Sequence, residues 1–241
     1  MLRFEIALLA GLALPLAGQP APLDPARTAL VLCDVWDDHW CRGAAQRVGV
    51  LAPKIDAFAA AARQRGVLVI HAPSDTMDFY KDAPQRRAML AIPQVAPPAP
   101  VEITSPPLPI DDSDGGCDTP GDKSHRAWSR QHPAVRIAEG DLISDQGAEV
   151  YSALQARGVK LLLVAGVHTN MCILNRTFAI KQMTKWGVRC VLVRDLTDAM
   201  YDPQDRPFVS HDRGTELVIE HIAKYWCPVE RSADLLRVLS K

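Results

Sequence analysis

The sequence predicts an α/β fold: an open, mostly parallel, doubly wound sheet with helices on both faces. Two observations carry that prediction. Short apolar runs recur without polar alternation, as in Thr28–Asp34 (TALVLCD), Val67–His71 (VLVIH) and Lys160–Ala165 (KLLLVA). Strands buried on both faces of a parallel sheet read this way. Between the runs lie stretches with apolar residues every three or four positions, the period of a helix packed along one side. Strands alternating with helices build parallel βαβ units.

Taken in order, residues 1–21 come first. Arg3 precedes an apolar stretch from Ile6 to Ala17, which is too short to cross a hydrocarbon core of about 30 Å. It is expected to be a signal peptide, making the protein exported, periplasmic or extracellular; the alternative is a hydrophobic N-terminal helix on a cytoplasmic protein. Residues 22–241 are then one domain, within the usual size range. Thr28–Asp34 is the first strand. Leu51, Ile55, Phe58 and Ala62 mark the buried face of a helix over Val48–Arg65, with Gly66 at its C-terminal cap, and Val67–His71 is the next strand.

Regularity stops at an insertion of about residues 91–125. Seven prolines fall between Pro93 and Pro109, followed by the acidic stretch Asp111–Asp118 (DDSDGGCD). Proline removes the backbone donors that helices and sheets need, and an insertion of this length is usually a working loop. Trp128, Leu108 and Ile110 give it apolar surface to bury, so an ordered loop is expected. The rhythm then resumes. A short strand is expected at Ala134–Ile137, a helix at Ala148–Arg157, a strand at Lys160–Ala165, a helix at Met171–Trp186, a strand at Val188–Arg194 and a helix at Arg213–Trp226.

Composition narrows the partners. With 27 Lys+Arg against 28 Asp+Glu, the formal charge is 27 − 28 = −1. That balance offers no footprint for nucleic acid or, once the signal is removed, for a membrane. A small-molecule substrate is the expectation.

In doubly wound sheets, sites form beyond the carboxyl ends of the strands. The first strand delivers Asp34 there and the fourth leads through Gly166-Val167-His168-Thr169-Asn170-Met171 to Cys172, at the start of a helix. A helix start lowers a thiol's pKa and presents free N–H groups to an oxyanion. Asp34 is placed to act as general base.

These stretches resemble the isochorismatase-like cysteine hydrolases, a family that includes nicotinamidases and N-carbamoyl amidases. Leu30–Asp34 is similar to the family's L-x-x-x-D strand, Gly166–Cys172 to its G-x-x-T-x-x-C turn, and Val188–Met200 to its following strand, with Asp195 where the family commonly places an acid. The likeness runs from about Thr28 to Asp198 and implies a three-layer α/β/α architecture. It implies a C–N hydrolase for a small amide or carbamoyl compound, with Asp34 as base, Cys172 as nucleophile and a thioester intermediate. It also implies a cis peptide near Val167–His168, N–H groups of His168 to Cys172 at the oxyanion, and association into homo-oligomers.

The family's third member, a lysine on the middle strand, has no counterpart in Pro133–Asp141. Three readings stay open: Arg136 substitutes electrostatically, Lys123 reaches in from the insertion, or no cation is present. An arginine there would not donate a proton, because its pKa stays above 12. Two alternatives to the amidase follow: a binding protein that has lost hydrolysis, and isochorismatase-type hydrolysis without a covalent intermediate.

Around this centre, Trp36, His39, His71, His168, Thr169 and Asn170 are the candidate substrate-binding residues. Trp36 and Trp40 either stack on a flat substrate or plug the sheet end. No cofactor and no metal is expected: only His71 and Asp75 are in range of each other as ligands, and Cys117 stands where a calcium loop beginning at Asp112 needs glycine. Asp198, Tyr201 and His211 are assigned to the lip of the site or a subunit contact. Of the six cysteines, Cys33 and Cys190 are expected in the core, and at most one bridge among Cys41, Cys117 and Cys227.

Overall fold

The computed structural model of the protein describes residues 22–239. The expected signal peptide at 1–21 lies outside the described residues. Six strands form one parallel sheet in the order β3-β2-β1-β4-β5-β6: β1 Thr28–Cys33, β2 Leu68–Ala72, β3 Leu142–Ile143, β4 Leu161–Val167, β5 Cys190–Asp198 and β6 Val229–Glu230. Every residue of β1, β2 and β4 is buried, as their unbroken apolar runs require.

The helices divide between the two faces. Helix α1 (Arg42–Gln64) packs Val48, Ile55, Phe58 and Ala62 against Leu30, Leu32 and Leu163 on one side, joined by Leu235 of α8 (Ser232–Val238). On the other side lie α3 (Pro84–Leu90), α4 (Gly147–Ala156), α6 (Ile180–Lys185) and α7 (His211–Tyr225), covering Val31, Ile70, Leu162 and Leu192. The sheet is thus the middle of three layers. Two one-turn helices, α2 (Met77–Tyr80) and α5 (Cys172–Asn175), sit at strand ends.

Four details differ from the sequence reading. Ala134–Ile137 is irregular, following a turn at Pro133–Ala134, and the third strand is the two-residue Leu142–Ile143. The single helix expected over Met171–Trp186 is broken, because Arg176 turns to extended backbone with ψ 147° between α5 and α6. Helix α1 starts at Arg42, six residues earlier than expected, and carries Pro53 internally. Strand β6 and helix α8 extend the sheet and layer near the C-terminus.

The insertion is irregular but anchored. Ile110 is buried, Leu108 and Ile103 pack on the core, and a Cys41–Cys117 disulfide with Cα atoms 5.6 Å apart ties it to the start of α1. Asn170 adds a second tie through its Nδ2 donor to Asp112, 2.8 Å away.

Candidate active site

The chain order reverses between β1 and β4, and such a switch opens a crevice beyond the strands' carboxyl ends. Asp34 leaves β1 with φ +49° and is fully buried. Its Oδ1 accepts the Ser74 N–H at 2.8 Å and its Oδ2 accepts Arg176 Nε–H at 2.8 Å. The Cys172 thiol stands beside the same carboxyl.

Close approach of β1 and β4 requires glycine at 166. Its φ is +119°, and a Cβ there would lie 2.0 Å from the Cys33 carbonyl oxygen, so only glycine lets the strand ends meet. The next peptide, Val167–His168, is cis. The N–H of His168 faces the Cys172 sulfur. That of Thr169 is used on Asp198 O at the end of β5 and that of Met171 on His168 O within the turn.

Burial dominates the electrostatics. It raises the Asp34 carboxyl above the ordinary carboxylate range, against the pull of Arg176. Burial and the Asp34 charge together raise the Cys172 thiol well above its usual value. The sequence reading expected the helix start to lower that thiol. A one-turn helix supplies too little field to offset desolvation beside a carboxylate. Cys172 is therefore a protonated thiol next to a carboxylate more basic than usual.

The cation of this cluster is Arg176, which the sequence reading missed. It lies four residues after Cys172, and i, i+4 positions share a helix face; that spacing was the available signal. Its Nη2 also lies 3.6 Å from Asp75 Oδ2. Arg136 is not at the site: its side chain is 74% exposed and pairs with Asp56 at 3.2 Å. The irregular stretch at 133–137 puts it on the α1 side, out of reach. Lys123 is exposed on the insertion.

The other candidates separate by environment. Trp36 stacks on Trp128 with ring centroids 4.1 Å apart, and its Nε1–H donates to Ser74 O. No slot for a substrate ring remains between them, so the pair is a wall. The Arg176 guanidinium lies 5.8 Å from the Trp36 ring. His39 continues the stack, 5.8 Å from Trp128, and meets His168 edge-on at 4.9 Å. Burial holds both histidines neutral, lowering His39 to about 4 and His168 to about 3. His168 Nε2 is buried without a partner.

His71, Thr169 and Asn170 hold structure instead of facing the crevice. The His71 ring is fully buried, with Nδ1 2.8 Å from Gln131 and Nε2 2.9 Å from Asp141. Thr169 Oγ1 bonds Thr197 Oγ1 at 2.8 Å. Asn170 is spent on the Met200 backbone and Asp112. Asp198 and His211 pair at 2.9 Å, and Arg47 bridges Asp198 to Asp118 of the insertion. Among the described residues, the one cluster with metal-ligand spacing is Cys41, Cys117 and Asp122, and its two sulfurs are joined in the disulfide.

Comparison with solved structures bears on the architecture. A cysteine hydrolase from Pseudomonas syringae pv. phaseolicola 1448A matches with TM-score 0.56 and 19% identity, over 94% of this chain and 98% of that one. The fold is isochorismatase-like. An isochorismatase family protein from Burkholderia thailandensis matches the same fold with TM-score 0.53 and 19% identity, over 92% and 100%. A ribonuclease from Caenorhabditis elegans shares this isochorismatase-like fold at TM-score 0.53 and 10% identity, over 91% and 84%. No family model matches the chain, and no curated relative does.

Proposed function

We propose that this protein is a cysteine hydrolase that cleaves a C–N bond of a small amide or carbamoyl compound. The supporting observation is the cluster of buried Asp34 with half-buried Cys172 and Arg176 at the switch point of the sheet. Asp34 takes the thiol proton as the sulfur attacks the carbonyl carbon, so no free thiolate has to persist. The oxyanion is received by the N–H groups of His168 and Cys172. Protonated Asp34 returns its proton to the leaving nitrogen, which departs as the C–N bond breaks and leaves a thioester on Cys172. Asp34 then accepts a proton from the water that attacks the thioester and returns it to the departing sulfur, releasing the acid and restoring the thiol.

Arg176 acts here by charge and position, since a guanidinium does not give up its proton at neutral pH. It orients the carboxyl toward the sulfur and offsets the ionised form during turnover. The amidase reading is favoured over isochorismatase-type hydrolysis by the thiol beside the base, which the latter does not need.

The test is turnover of a panel of small primary amides and N-carbamoyl compounds, with intact-mass detection of an acyl adduct. The expected result is a substrate-dependent adduct on wild type, absent in Cys172→Ala together with turnover. Turnover that survives Cys172→Ala would reject the covalent route. No turnover across the panel, with ligand binding retained, would favour a binding protein on this fold.

A further inference from the structure

At the opposite end of the sheet, two thiols outside the candidate active site share one groove. Leu192 of β5 pairs with Val229 of β6, and Val193 with Glu230. Cys190 stands two residues before Leu192 and Cys227 two before Val229, so the same parallel register sets them opposite each other. The backbone supports that extension: Leu192 N–H donates to Pro228 O at 3.0 Å. Equal offsets in parallel strands also put both side chains on one face. Cys190 and Cys227 accordingly fall in the same core cluster, while Val191 and Val193 point to the other.

We infer that Cys190 and Cys227 form a second, closable disulfide. Neighbouring strands run about 4.7–4.9 Å apart, inside the 4.4–6.8 Å between Cα atoms that a disulfide spans. Both are free thiols here. Both line a groove of about 320 Å³ together with Thr184 and Trp226. Thr184 Oγ1 and Trp226 Nε1 are buried without a partner, so a groove lined mostly by apolar side chains carries two polar atoms that water can meet beside the thiols.

The surroundings decide between a bridge and a metal. Burial pushes each thiol up to about 12. A soft cation would hold both as thiolates at once, whereas thiol–disulfide exchange needs one transient thiolate at a time and its product carries no charge. With a low-molecular-weight disulfide such as oxidised glutathione as the oxidant, one protein sulfur attacks and displaces a glutathione thiol. The second sulfur then attacks the mixed disulfide and displaces the other, so two protein S–H bonds are lost and two glutathione thiols form. Closure ties the start of β5 to the chain after α7, a loop of 227 − 190 = 37 residues.

The experiment equilibrates the full chain with oxidised and reduced glutathione, quenches with iodoacetamide and maps peptides without reduction. A Cys190–Cys227 linked peptide, two hydrogens lighter than the sum of its parts, is the expected product. In Cys41→Ser/Cys117→Ser, oxidation should still raise Tm by roughly 5–10 °C, and the rise should vanish when Cys227→Ser is added. Two thiols that stay alkylatable while Cys41–Cys117 is closed would overturn the inference. So would stoichiometric zinc or cadmium binding by those thiols without a linked peptide.

Discussion

Arg176 donates from Nε to Asp34 Oδ2 at 2.8 Å, and Asp34 is fully buried. A buried carboxylate that loses its ion partner keeps the desolvation cost without the compensation. Arg176→Ala should therefore lower stability by about 2–4 kcal/mol and reduce kcat/KM by about 100- to 1000-fold. Arg176→Lys should recover part of the rate, because a point charge replaces the fork. Arg136→Ala should stay within about twofold, since an exposed pair contributes little. Steady-state kinetics and urea titration check these values. A larger loss at Arg136 than at Arg176 would reverse the assignment of the cation.

His39 and His168 make the fold sensitive to acid. Their folded values, about 4 and about 3, lie below the ordinary 6.5. Below pH 6.5 the unfolded chain binds protons that the folded chain refuses, so stability falls as pH drops. His211 runs the other way: Asp198 raises it despite burial, so its contribution is present in acid and lost as pH rises through its folded value. Between about pH 5.5 and 4.5, each depressed histidine should cost roughly 3–5 °C of Tm. His168→Leu should flatten that slope by about its own share. Equal slopes in the variant and wild type would sink this account.

Trp128 reaches Trp36 from the insertion, and the two rings are in contact over their faces. Trp128→Ala should uncover Trp36, which is 4% exposed in the intact protein, and increase acrylamide quenching of its emission. As a wall residue, Trp128 should affect binding more than chemistry. KM for flat substrates is expected to rise about five- to tenfold, with kcat within about threefold. An unchanged KM with a collapsed kcat would place the ring against the reacting atoms instead.

The legible parts of this molecule are those that bury most surface. Strands β1, β2 and β4 are long enough for an apolar run to identify them, and Asp34 and Cys172 follow directly at their ends. Leu142–Ile143 and Val229–Glu230 pair through two residues each, too few to show any period. The break at Arg176 is set by tertiary packing, since Thr177, Phe178 and Ala179 carry no breaker residue. The resemblance draws attention to Arg136 because it places a cation on the middle strand; the helix spacing from Cys172 to Arg176 is local information of equal weight. His71 looked reactive at a strand end, yet Gln131 and Asp141, far along the chain, occupy both its nitrogens.

The thiol and its cation share one pentapeptide, Cys172–Arg176. The cluster therefore assembles from two stretches of chain, the end of β1 and this turn, instead of three. The Ser74 N–H aside, residues 73–141 supply walls and ties to the site, and no member of the Asp34–Cys172–Arg176 cluster. Within that region the proline-rich span is stapled to α1 at Cys117 and supplies no member of the cluster. A graft that moved Gly166–Arg176 and Leu30–Asp34 onto another sheet of this topology would carry Asp34, Cys172 and Arg176 together.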